Sequence, residues 1–119
     1  CYGTTHADYF FGDIPCARSL TADEINGEYE KNTGIVIAET FEGKNPIYVP
    51  GVLCTKHGPF SWGADAAEAV HNAVVMEEVA KMAYRCEHLK KDIEEAPQVL
   101  QDKHFFRKHG ENAYYGNDL

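Results

Sequence analysis

Chemistry in this chain starts from one histidine, one aspartate and a pair of tyrosines. His57 follows the apolar run Val52-Leu53-Cys54, and the Gly58-Pro59 pair after it is expected to deny the strand a continuing ladder. A strand that stops there would hold its last imidazole stiffly and present it to a metal or a substrate; the plainer alternative is a loop histidine bonded to a backbone carbonyl. Asp8 lies within Gly3-Thr4-Thr5-His6-Ala7-Asp8-Tyr9, where a carboxylate can act as general acid or base or can simply close an Asx turn. Tyr114 and Tyr115 stand in a polar tail, Glu111 to Leu119, which reads either as a frayed end or as an arm that docks elsewhere. Cys54 stands three residues before His57, a spacing some zinc sites use, but alternation along a strand sends the two side chains to opposite faces, so Cys54 is assigned to the core. Nothing places a second ligand four residues beyond His71 or His88, and both are assigned to packing or solvent on a long helix.

These groups need elements to carry them. The opening residues predict loop and a short turn, then a strand near Ile14 to Arg18. Thr21-Ala22-Asp23-Glu24 is a capping box, which predicts a helix to about Asn32 with Gly34 as its stop. Ile35 to Phe41 suits a strand by its β-branching and a helix by the face that Ile35, Ala38 and Phe41 would share; the reading adopted is helix. Turn chemistry at Gly43-Lys44-Asn45-Pro46 and at Pro50-Gly51 precedes two strands, Val52 to Thr55 and Phe60 to Trp62, on either side of the His57 turn. Asp65 caps a long helix to about Leu89, alanine-rich and apolar on more than one face, which predicts packing against a sheet and against something further such as another subunit. Ala96-Pro97 opens a last helix to about Lys108, stopped at Gly110.

Composition bounds the function. A chain of 119 residues has the size of one domain, with no repeat or linker to divide it. Its formal net charge is −8, with no basic cluster long enough to track a phosphodiester backbone, so nucleic acid is excluded as a partner. There is no run of about 18 apolar residues and no charged-then-apolar leader, which argues against a membrane span or a signal peptide. Cys1, Cys16, Cys54 and Cys86 are irregularly spaced and form no Cys-x-x-Cys pair, the pattern of reduced thiols in a cytoplasmic protein.

The phrase His57-Gly58-Pro59-Phe60 with Trp62-Gly63 resembles the zinc-ligand strand of the L-ribulose-5-phosphate 4-epimerases, a family of the class II aldolase superfamily. Gly3 to Phe10 with Gly12-Asp13-Ile14-Pro15-Cys16 is similar to that family's catalytic-aspartate segment. Glu24 to Glu30 matches as well, and Asp102-Lys103-His104 through Arg107-Lys108-His109-Gly110 to Tyr114-Tyr115-Gly116 resembles its C-terminal tyrosine tail. The resemblance implies an α/β fold, part of a three-layer α/β/α arrangement around a mainly antiparallel sheet, of which residues 1–119 form roughly the C-terminal half of one domain. A mature domain released by processing is the rival reading of the chain's extent.

The reaction so implied interconverts L-ribulose 5-phosphate and D-xylulose 5-phosphate by carbon–carbon cleavage and re-addition, with Zn²⁺ stabilising the enediolate. Because the aldehyde is re-added on its other face, two proton carriers are needed on opposite sides, and Asp8 and Tyr115 match the family's pair. Tyr115 would enter a neighbouring subunit's site in a homotetramer. His57 matches one zinc ligand, while Thr4, Glu28, His104 and Arg107 match substrate-binding or supporting positions. The family's His-x-His ligand pair has no counterpart anywhere in this sequence, so the chain alone is expected to bind metal poorly and to be inactive. The alternatives are a class II sugar-phosphate aldolase and a non-catalytic fragment lacking the full metal site.

Overall fold

The computed structural model describes residues 1–116, so the last three residues of the tail, 117–119, lie outside the described residues. Eight elements follow in order: α1 (Thr4–Tyr9), β1 (Cys16–Ala17), α2 (Ala22–Asn26), α3 (Tyr29–Thr40), β2 (Gly51–Cys54), β3 (Gly58–Ser61), α4 (Ala66–Leu89) and α5 (Gln98–Lys108). The fold class is α/β. The chain gathers into two compact units, one of Cys1–Asp13 with Val74–Leu119 and one of Ile14–Ala73, and each is described by itself.

In the Ile14–Ala73 unit the capping box forms as read. The Thr21 hydroxyl accepts the Glu24 N–H at 3.2 Å and the Glu24 carboxylate accepts the Thr21 N–H at 2.7 Å. Arg18 ties this turn down, reaching Glu24 at 2.9 Å and Glu39 at 2.9 Å. The predicted span is wrong, however. α2 ends at Gly27, and α3 starts at Tyr29 and runs straight through Gly34. A glycine inside a helix costs only about 1 kcal/mol, and α3 buries Thr33 and Val36 on either side of it. The side-chain amide of Asn32 in α3 donates to the Glu24 carbonyl at 2.9 Å, satisfying a carbonyl that the short α2 leaves open.

The sheet has the order β1-β2-β3, with β1 parallel to β2 and β2 antiparallel to β3. The expectation that Gly58-Pro59 interrupts the ladder is overturned, since Leu53 pairs with Pro59 and Cys54 with Gly58. The Leu53 N–H donates to the Pro15 carbonyl at 2.9 Å, towards the β1 side. Leu53 and Pro59 are therefore a non-hydrogen-bonded pair, and the nitrogen that proline cannot protonate faces the outer edge of the sheet. Ala17, Val36, Val52 and Cys54 form the buried core of this unit, with Leu20, Ile37, Phe41, Phe60 and Trp62 packed against it. Beyond the sheet, Gly63 passes so close to α4 that a Cβ there would lie 2.8 Å from the Ala69 nitrogen. Asp65 caps α4, accepting the Glu68 N–H at 2.8 Å.

In the other unit, α1 replaces the predicted loop. Six residues are too few to hold a helix in isolation, and α1 exists because it packs on α5. Ala7 and Phe10 are buried from the α1 side, Gln101 and Phe105 from the α5 side. Phe11 adds ring contacts to Phe105 and Phe106 at 5.2 and 5.3 Å. The His6 Nε2–H donates to the Gly12 carbonyl at 2.7 Å and folds the chain back after the helix. Burial pushes that imidazole below its ordinary value near 6.5, while the Gly12 carbonyl pulls the other way.

Candidate functional site

Asp8 occupies the last turn of α1, and His104 and Arg107 stand three residues apart on one face of α5. The packing of these helices brings the three together. The Asp8 carboxylate accepts from His104 Nδ1 at 3.0 Å and from Arg107 Nη2 at 3.2 and 3.4 Å, one contact to each oxygen. With side chains 15%, 20% and 21% exposed, the three groups are mostly withdrawn from water, so the contacts fix direction. Donation from Nδ1 in the neutral ring leaves Nε2 of His104 as an acceptor.

Tyr115 joins this cluster from the tail. Its ring centroid lies 4.0 Å from Arg107 Cζ, a cation–π contact on the guanidinium that also holds Asp8. The N–H groups of Tyr114 and Tyr115 both donate to the Arg107 carbonyl, at 2.7 and 2.9 Å. Carbonyls in the last turn of a helix lack partners within it, and here the tail supplies them. Arg107 Nε is buried with no hydrogen-bond partner among the described residues. Thr4 opens α1 one turn before Asp8, on the same face and exposed.

His57 and Glu28 belong to the other unit. His57 closes the β2–β3 hairpin, its N–H bonded to the Cys54 carbonyl at 2.9 Å, and Lys56 before it takes a left-handed φ of 64°. The His57 ring is exposed and stacks on Phe60 at 5.1 Å between centroids. It lines a cleft of about 590 Å³ together with Leu20, Ile25, Tyr29, Cys54 and Lys56. Cys54 is buried, and burial, with a smaller effect of Cys16, pushes its thiol up, as suits a core residue and not a thiolate ligand. Glu28 is exposed at the start of α3, paired with Lys31 at 3.0 Å and adjacent in sequence to the cleft residue Tyr29.

Among the described residues no three His, Cys, Asp or Glu side chains gather to hold a metal, so His57 is a single donor and the residues present do not make a zinc site. No helix is long and apolar enough to cross a membrane among the described residues. The sequence reading missed two features. One is the cleft beside His57, which is assembled from four separate segments. The other is Lys108, which stands in the tail motif with no role given to it, and whose Nζ lies 4.4 Å from the Tyr9 ring centroid and 5.7 Å from that of Tyr115.

The family described as Class II Aldolase and Adducin N-terminal domain matches residues 1–84. That stretch takes in Asp8 on α1, the His57 hairpin and most of α4, while His104, Arg107 and Tyr115 lie beyond it. With more than half of its length matched, Asp8 and His57 included, the chain belongs to the class II aldolase and adducin family.

Proposed function

We propose that this chain is part of a zinc-dependent L-ribulose-5-phosphate 4-epimerase, a cytoplasmic homotetramer acting on a phosphorylated pentulose. The observation that supports the reading most is the meeting of Asp8 with His104 and Arg107. Asp8 and His104 are 96 residues apart in sequence, and the members come from two separate motifs. Inverting a carbon that carries a hydroxyl and no acidic hydrogen calls for bond cleavage and re-addition, with one group taking the hydroxyl proton and another returning it on the opposite face. Asp8 is the carboxylate carrier, aimed by His104 and Arg107. Tyr115 is the phenol carrier, brought in on a tail that Arg107 anchors, and in the tetramer it serves a neighbouring subunit's site. Thr4, one turn from Asp8, lines the substrate side. Glu28, at the start of α3, matches a supporting position of that family.

His57 is one zinc ligand in this reading, a neutral imidazole at the rim of a cleft, and the remaining ligands come from outside these 119 residues. The test is to supply L-ribulose 5-phosphate to the native protein that carries this chain. Formation of D-xylulose 5-phosphate is the expected result; accumulation of free glycolaldehyde phosphate would instead establish a class II sugar-phosphate aldolase.

A second reading, a non-catalytic piece serving assembly, draws on the lone donor at His57. Zinc analysis and turnover of the 119-residue chain by itself are expected to give neither tight zinc nor activity. Loss of both in the native protein as well would favour this second reading.

A further inference from the structure

We infer that Lys108 is a positioning residue, tying the tyrosine tail to the helix that carries Asp8; the inference deepens the reading of Tyr115 as a proton carrier and rests on it. Lys108 is the last residue of α5. Its ammonium donates to Tyr9 Oη at 3.4 Å and lies over the Tyr9 ring at 4.4 Å from the centroid. Tyr9 directly follows Asp8 in α1. The same ammonium lies 5.7 Å from the Tyr115 ring centroid. One cation thus faces two tyrosine rings, one on each of the segments that deliver the proposed proton carriers.

Two further observations bear on this arrangement. In a chain of formal net charge −8, Lys108 forms no ion pair with a carboxylate among the described residues, and its charge is turned to the two rings. Its aliphatic stem also packs on the tail backbone. A Cβ on Gly116 would lie 3.3 Å from Lys108 Cε, and Gly116 has a left-handed φ of 76°, so the tail keeps this path most easily with glycine there. Arg107 pairs with Asp8 and stacks on Tyr115; Lys108 meets Tyr115 beside it and reaches back to Tyr9. The tyrosine is thereby placed relative to α1 as well as to α5.

The test uses the native protein with 3-fluorotyrosine at position 115 and the variants Lys108→Met, which keeps the stem and removes the charge, and Lys108→Arg, which restores a cation. Lys108→Met is expected to lower kcat about tenfold with KM within about twofold, the pattern of a displaced proton carrier under unchanged substrate binding. The ¹⁹F resonance at 115 should move towards that of free fluorotyrosine, and Lys108→Arg should return kcat and the resonance most of the way. Gly116→Ala should shift the resonance in the same direction as Lys108→Met. A fluorine signal unmoved by Lys108→Met overturns the inference, whatever happens to the rate. A signal that moves while kcat holds also overturns it as a statement about catalysis. If the native protein does not epimerise the substrate, the functional reading fails, and the fluorine measurement still decides whether Lys108 holds Tyr115.

Discussion

The Asp8 cluster and the His57 hairpin are built in opposite ways. Asp8 is held by side chains 96 and 99 residues away in sequence, is mostly buried, and uses both carboxylate oxygens. His57 is placed by a turn bond to Cys54 three residues before it and by stacking on Phe60 three residues after it, with its ring exposed at a cleft. A group that moves protons gains from a fixed direction, and long-range packing supplies that direction. A group that completes its coordination with donors from elsewhere needs an open side, and a locally stiffened hairpin leaves one. Closure at one place and openness at the other therefore fit the different tasks proposed for them.

The sharpest break of this contrast comes from the two proposed proton carriers. Asp8→Asn and Tyr115→Phe are each expected to lower turnover of the native protein by about two to four orders of magnitude. They should differ in stability. Asp8→Asn leaves His104 and Arg107 without their anion, a loss of about 1.5–3 kcal/mol in chemical denaturation. Tyr115→Phe keeps the ring on Arg107 and should shift stability by less than about 0.5 kcal/mol. Full turnover in both variants would remove the pair from the reaction.

His57→Asn tests the open side. Zinc content of the native protein should fall, while folding stability stays within about 0.5 kcal/mol because the ring is exposed; retained zinc would exclude His57 as a ligand. Smaller again is the effect of Lys56→Gly, which should raise stability by up to about 1 kcal/mol by relieving the left-handed φ at the hairpin turn. A loss of stability would mean that the Lys56 side chain contributes more than its backbone costs.

The gentlest probe is acid. His6 has its folded value pushed below 6.5, so the stability it provides is complete above 6.5 and is lost as the pH falls from there through the folded value. Glu24 is held down to about 2, chiefly by Arg18 and then by the Thr21 N–H, so its contribution is complete above its ordinary value near 4.5 and is lost as the pH falls towards 2. Amide exchange should quicken first around Phe10 to Gly12 and only at lower pH around Thr21 to Ile25. The reverse order would contradict the assignment of His6 as a buried neutral ring.

Much of the α/β fold was legible in local chemistry. The Thr21 box and the Asp65 cap each satisfy backbone groups within a few residues, so no distant part of the chain can overrule them cheaply. Local reading failed where packing outweighed it. Gly34 looked like a stop, but Gly27 ends the helix and α3 buries residues on both sides of Gly34. Gly58-Pro59 looked like the end of a ladder, but proline is harmless where its nitrogen faces an outer edge. At the candidate site, the residue types of Asp8, His104, Arg107 and Tyr115 were visible one by one.

By itself, then, the sequence determined what depends on near neighbours: caps, turns, the hairpin that carries His57, and the chemical types able to move a proton or bind a cation. Only the tertiary structure decided that a six-residue helix exists at all, that its aspartate meets α5, and that one arginine holds both a carboxylate and a tyrosine ring. The physical reason is that a short helix and a buried charge are each unfavourable alone and become favourable only together, when packing removes water and a partner supplies the missing contacts.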